Sequence, residues 1–93
     1  MHASDSANAA SPLRSVPSEL VVLCHAHINA IKTFLPACNP QITSDAKVGV
    51  HMLAGAARAA YQTVLVNSPS TEQRDVLRAL LLEIRAVEDE LLE

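Results

Sequence analysis

Aromatic side chains are almost missing from this sequence of 93 residues. Phe34 and Tyr61 are the only aromatic residues, and there is no tryptophan, so a core must be built from aliphatic and small side chains. Glycine is also rare, with two residues against 15 alanines and 12 leucines. Because alanine and leucine lose little or no side-chain entropy in a helix, the composition predicts an all-α fold and argues strongly against an all-β one.

The sequence also lacks an excess of positive charge, a long apolar run and a cysteine framework. Seven Lys and Arg against ten Asp and Glu give a formal charge of -3, so no overall basic field attracts nucleic acid. Charges and prolines interrupt every apolar stretch before the ~20 residues that cross a bilayer. Two cysteines, without a secretory signal in residues 1–17, are expected to be reduced. We therefore expect a cytoplasmic protein that binds neither nucleic acid nor membrane.

Length allows a single domain, which buries only roughly 60% of its unfolded surface. Residues 1–17 are small and polar with two prolines, which predicts a flexible tail before a helical domain at residues 18–93. Much alanine-lined surface should stay uncovered in a monomer. We therefore expect a three-helix antiparallel bundle, or a partial bundle, that is completed by homo-oligomerisation.

The first helix is predicted at residues 18–35, where apolar residues recur at steps of three and four. Pro36 and Pro40 then force a turn, because the residue before a proline avoids helical angles. The predicted stripe consists of Leu20, Cys24, Ile28, Ile31 and Leu35.

The second helix is predicted at residues 44–67, with Thr43 or Ser44 as its cap and Asp45 at the positive end of its dipole. Small residues cover several sides of this helix, so the axes of neighbouring helices could approach it closely. Gly49 and Gly55 are the predicted contact points.

The third helix is predicted at residues 71–92. Ser70 and Gln73 form a capping box in which each side chain satisfies a backbone amide of the first turn. An outer helix packed on its own subunit, with Arg85 and Asp89 paired on its surface, is favoured over an autonomous coiled coil of only ~2 heptads. The apolar seam consists of Leu77, Leu80, Ile84, Val87 and Leu91.

No complete catalytic set is visible in the sequence. Asp45 is the best candidate general acid or base, and a purely structural role as a helix-dipole partner competes with it. His25 and His27 lie on different sides of one helix, so they cannot hold one metal ion, and no metal site is expected. His25 and His51 are expected to form surface or inter-helix hydrogen bonds.

Two segments of the second helix resemble a known family. The sequence SDAKVG begins at Ser44, and AARAAYQTVLVN ends at Asn67. Both resemble the cyclodeaminase/cyclohydrolase family, the C-terminal part of formiminotransferase-cyclodeaminase and the stand-alone methenyltetrahydrofolate cyclohydrolase. Thr63 and Ala59 depart from the family pattern, which has Asn and Gly there. The family domain is about twice as long as this chain, so the match is to its C-terminal half.

The resemblance implies an all-α dimer that acts on a folate one-carbon adduct, formimino- or methenyl-tetrahydrofolate, as its substrate and without a metal. The reaction needs proton transfer at nitrogen, for which Asp45 is the expected catalytic carboxylate. The resemblance also implies Ser44 and Asn67 as substrate-binding residues. For Asn67, a role as a helix C-terminal residue with left-handed angles is an equal alternative. We expect this short chain, alone or as a homodimer, not to convert methenyltetrahydrofolate above background.

A second function class fits the same residues. A non-catalytic helical module would use the small-residue faces to bind another chain, as an interaction or oligomerisation domain. An enzyme needs a concave site that Asp45 faces, whereas a pairing module needs an extended apolar face along the second helix.

Overall fold

The computed structural model describes residues 15–93, which form three α-helices joined by short connections. Residues 1–14, most of the predicted tail, lie outside this range. No strand occurs within residues 15–93, which confirms the all-α prediction. The helices are α1 (Val16–Phe34), α2 (Pro40–Val66) and α3 (Thr71–Glu90), and a 3-10 turn at Leu35–Ala37 follows α1.

Helix α1 begins two residues before the predicted boundary. Ser15 is its N-cap, and the Ser15 side chain accepts a hydrogen bond from the backbone N–H of Ser18 at 3.3 Å. Pro17 fits the first turn because the amides there have no partner within the helix. The predicted tail of residues 1–17 is therefore too long by the residues that start this helix.

Helix α2 begins four residues earlier than predicted. Asn39 is the N-cap, with its Oδ1 accepting from the N–H of Ile42 at 2.9 Å, and Pro40 is the first helical residue. A proline is well suited to that position because its missing N–H would have no intrahelical partner. The prediction that Thr43 or Ser44 caps this helix is wrong.

The start of α3 confirms one half of the predicted capping box. Ser70 is the N-cap, and its Oγ accepts from the N–H of Gln73 at 3.1 Å. The Gln73 side chain does not return to the cap as predicted. Its Nε2 donates to the Oγ of Ser18 at 2.7 Å, and Ser18 is fully buried. This polar contact joins α3 to the start of α1.

The core fixes how the three helices run. One buried cluster joins Ile28, the middle of α2 around Ala54, and Ile84, and a second joins Val21, the end of α2 around Val64, and Leu77. Along both α1 and α3 the residue numbers rise while those of α2 fall. Both helices are therefore antiparallel to α2, as predicted. No aromatic residue is among the buried side chains of the described range.

The apolar stripes are confirmed with one shift. In α3 the residues Leu77, Ile84 and Val87 are buried, as predicted. In α1, Cys24 and Ile28 are buried, but Leu20 is 41% exposed and its neighbour Val21 occupies the core. The prediction for Leu20 is wrong because the buried face of α1 continues from Cys24 back to Val21, a step of three residues and not four.

The small residues of α2 are only partly contact points. Ala54, Ala57 and Ala60 are buried against the other helices, which confirms close packing. The two glycines are different: a methyl group at Gly49 would meet nothing within 4 Å, and one at Gly55 would meet only the Arg58 guanidinium at 3.9 Å. The prediction that these glycines are contact points is wrong within one chain.

Helix α1 and its following turn have an apolar surface. The segment Val16–Ala37 has a mean hydropathy of 1.3 and is long enough to cross a membrane, a test that core helices and signal sequences also pass. Phe34 is 69% exposed at its end. The fold thus leaves one broad face of α1 uncovered by the rest of residues 15–93.

Candidate functional site

Two open clefts lie side by side between α2 and α3. Arg58 of α2 and Arg85 of α3 line both of them, so the clefts form one continuous groove. The first cleft has a volume of about 240 Å³ and the second about 280 Å³. The first is also lined by Tyr61, Gln62, Arg78, Leu81 and Leu82, and the second by His51, Glu88, Asp89 and Leu92.

Glu88 organises the second cleft. Its Oε2 accepts a hydrogen bond from Nδ1 of His51 at 3.0 Å, and its Oε1 accepts one from the Arg58 guanidinium. The Glu88 side chain is only 15% exposed. Since an ionised carboxylate can only accept, His51 carries a proton on Nδ1 in this arrangement.

The Glu88 carboxylate is held in its ionised form. Burial would raise the pKa of Glu88, but hydrogen bonds from His51 and Arg58, together with the charge of the guanidinium, lower it overall. The helices position this cluster, since His51 and Arg58 lie two turns apart on α2 and point at one residue of α3. An oriented imidazole beside a fixed carboxylate is chemically suited to proton transfer.

The other predicted histidine contact is also present. His25 Nε2 donates to Glu83 Oε1 at 3.0 Å, which joins α1 to α3. The expectation of inter-helix hydrogen bonds for His25 and His51 is therefore confirmed. Within residues 15–93, no group of three or more His, Cys, Asp or Glu side chains is close enough to hold a metal ion.

The two cysteines are free thiols. Cys24 lies in the core, where burial raises the pKa of its thiol, so it stays protonated and apolar. Cys38 is half-buried, and its Sγ donates to the backbone oxygen of Phe34 at 3.4 Å. Both observations agree with structural roles.

Ser44 and Asp45 lie in the second turn of α2 and are both exposed. Because the helix begins at Pro40, Asp45 is not in its first turn, and the predicted interaction with the dipole end is lost. Neither residue lines the two clefts described above. The structure thus separates the motif-matched carboxylate from the cluster of His51, Arg58 and Glu88.

Asn67 ends α2 as its C-cap, and its Nδ2 donates to the backbone oxygen of Thr63 at 3.2 Å. Its backbone is not left-handed, with φ at -89°; the positive φ belongs to Ser68, at 51°. The alternative of left-handed angles at Asn67 is therefore wrong by one residue. Asp45 and Asn67 are 22 residues apart, which is roughly 33 Å along a helix.

A family model decides the classification of the chain. The model described as formiminotransferase-cyclodeaminase matches residues 3–86, about nine-tenths of the sequence. The chain belongs to the formiminotransferase-cyclodeaminase family. No curated protein and no solved structure shows a significant match.

The match to the formiminotransferase-cyclodeaminase family confirms the resemblance that was seen in α2 and extends it. The motif residues Ser44 to Asn67 lie inside the matched range, and so do α1 and most of α3. The match also begins at residue 3, inside the segment predicted as a tail. The residues that line the clefts lie within the matched region, except for Glu88, Asp89 and Leu92, which follow residue 86.

Sequence reasoning missed the groove. His51 was expected to form a hydrogen bond, but the sequence did not identify Glu88 of α3 as its partner. No local sequence pattern links His51 to Glu88, because the two residues are 37 positions apart. Only the register of α3 against α2 brings Glu88 to His51 and Arg58.

Proposed function

We propose that this chain acts in folate one-carbon metabolism, as a cyclodeaminase- or cyclohydrolase-like domain for formimino- or methenyl-tetrahydrofolate. The observation that carries the proposal is the family match over residues 3–86. The sequence motif from Ser44 to Asn67 supports it. The substrate is the tetrahydrofolate adduct itself.

The reactions proposed here need proton transfer at nitrogen. Ring closure of a formimino group expels ammonia, so the leaving nitrogen must gain a proton, and hydrolysis of a methenyl group requires a proton to leave the attacking water. Two groups are candidates for this role. Asp45 is the motif-matched carboxylate and faces solvent, while His51 is oriented by Glu88 in a cleft.

A binding measurement tests the proposal without relying on turnover. We expect 5-formyltetrahydrofolate, a stable adduct, to bind saturably to the chain in isothermal titration calorimetry. Asp45→Asn should weaken binding if Asp45 contacts the adduct, whereas Asp75→Asn, a matched exposed carboxylate on α3, should not. Absence of saturable binding at any protein concentration would reject the folate assignment.

Turnover then separates the two proton-transfer candidates. The isolated chain is expected to convert methenyltetrahydrofolate at the background rate. Turnover above background that Asp45→Asn abolishes would contradict that expectation and assign the motif carboxylate as catalytic. Turnover that His51→Gln abolishes and Asp45→Asn leaves intact would assign the cleft instead.

The alternative function is a non-catalytic interaction or oligomerisation module. It is favoured by the outer face of α2, where Met52 is 72% and Val66 81% exposed and Gly49 faces open space. Sedimentation equilibrium tests this alternative. A concentration-dependent dimer that Met52→Glu converts to monomer, with no folate binding by either protein, would favour the module over the enzyme.

A further inference from the structure

The first cleft between α2 and α3 has no role in the proposed function. It contains a tyrosine, two leucines and three arginines, a combination of apolar walls with positive charge. The geometry points to a binding site for an aryl carboxylate, a small ligand with a flat apolar body and an acidic group that Arg78 binds. This inference holds whether or not the chain binds folate.

The charge of the cleft comes mainly from Arg78. Arg58 is neutralised by Glu88, and Arg85 is paired with Asp89 at 3.7 Å. Arg78 makes no ion pair with any residue of the described range 15–93 and lines the first cleft. An unpaired guanidinium beside an apolar wall is a site that an external carboxylate can satisfy with two parallel hydrogen bonds.

The apolar walls of the first cleft favour a ligand with an apolar body. Tyr61 presents a half-buried ring from α2, and Leu82 of α3 is 63% exposed. A flat aromatic group placed between them would cover both and gain from stacking on the tyrosine ring. The volume of about 240 Å³ suits a small molecule, not a folded partner.

Arg78 and Arg85 are seven residues apart on α3, about 10 Å along the helix. Both arginines line the first cleft. Because Arg85 already has Asp89 as a partner, Arg78 is the expected contact. Arg74 lies one turn before Arg78 and is also exposed, but it does not line the first cleft. Arg74 therefore provides a matched control.

The experiment uses a charged ligand and its neutral analogue. Naphthalene-2-carboxylate and naphthalene-2-carboxamide are titrated into the full chain, and the ring resonances of Tyr61 are followed by NMR. Tyr61 is the only tyrosine, so its signals are assigned without ambiguity. We expect the carboxylate to shift the Tyr61 resonances saturably and to bind on the order of tenfold more tightly than the amide.

Separate variants test the charged contact and the apolar wall of the first cleft. Arg78→Gln should remove the preference for the carboxylate over the amide, and Arg74→Gln should keep it. Leu82→Gln should weaken both ligands by a similar factor, because it removes apolar contact and not charge. Circular dichroism of each variant confirms the helical fold, which substitutions at these exposed positions should preserve.

Three outcomes would overturn the inference. These are equal affinity for the acid and the amide, an equal effect of Arg74→Gln and Arg78→Gln, and saturable binding that leaves the Tyr61 resonances unmoved. Sulfate serves as a test of charge without an apolar body. If sulfate displaces the carboxylate at equal concentration, the site selects anions only and the aromatic part of the inference is wrong.

Discussion

The substitution Glu88→Gln tests the central cluster of the groove because it keeps the shape of the side chain and removes its charge. The carboxylate accepts two hydrogen bonds, from His51 and Arg58, whereas the amide offers one acceptor oxygen and a donor NH2 group. Hydrogen bonds to charged groups contribute about 1.5–3 kcal/mol, and the exposure of Arg58 reduces this share. We expect a loss of about 1–2 kcal/mol in the free energy of unfolding, measured by urea denaturation at pH 7.

The pH dependence of that loss distinguishes charge from packing. The pKa of Glu88 is lowered in the folded state relative to the ordinary value of 4.5. A lowered pKa gives stability that is complete above the unfolded-state pKa and disappears as the pH falls through the folded-state pKa. The difference between the wild-type chain and Glu88→Gln should therefore be constant near neutrality and shrink as the solution is acidified below about pH 4.5.

Glu83→Gln is the matched control for this measurement. Glu83 also accepts a hydrogen bond from a histidine, but its side chain is 64% exposed, so the pair should contribute less than about 1 kcal/mol. The reasoning would be refuted if both substitutions cost the same. It would also be refuted if the cost of Glu88→Gln did not change between pH 7 and strongly acidic solution.

Three further substitutions, two of them with a control substitution, test the fold. Asn39→Ala should lower the free energy of unfolding by about 0.5–2 kcal/mol in urea denaturation, because it removes the cap of α2. Ser44→Ala should cause no comparable loss, and a larger loss for Ser44→Ala than for Asn39→Ala would favour the predicted helix start at residue 44. Leu77→Ala should cost about 2–5 kcal/mol through a cavity in the core, whereas Leu82→Ala should change the thermal midpoint little, and similar losses would contradict the burial pattern. Ser18→Ala should cost about 1–3 kcal/mol because the glutamine of α3 loses its buried acceptor, and an unchanged urea midpoint would contradict that contact.

Helical periodicity predicted the three helices because it reports burial directly. The start of α3 was found from Ser70, since a cap followed by a polar residue and an apolar run is a local signal. The start of α2 was missed because Pro40 was interpreted as part of the turn, although proline is also common as the first residue of a helix. Asn39 is itself a favoured N-cap residue, so the pair of Asn39 and Pro40 is a local signal for the observed start.

The groove could not be predicted, for a different physical reason. Each of its residues is ordinary in its own helix: His51 and Arg58 on α2, Glu88 on α3. Their meeting depends on the axial register between antiparallel helices, which is set by how the buried aliphatic side chains of α2 and α3 interlock. A shift of one turn along α3 would move Glu88 by about 5 Å and break the cluster, and no local pattern fixes that shift.

The positions of Asp45 and Asn67 tie the site prediction to the association prediction. The two motif-matched residues lie near opposite ends of one helix, roughly 33 Å apart along its axis, so one adduct bound to a single chain cannot contact both. Both can contact one adduct only if a second copy brings its Asn67 to the Asp45 of the first. A strictly monomeric chain that binds the adduct would therefore leave at most one of these residues at the site, and the loss of binding in Asp45→Asn or in Asn67→Ala, but not in both, would show which one.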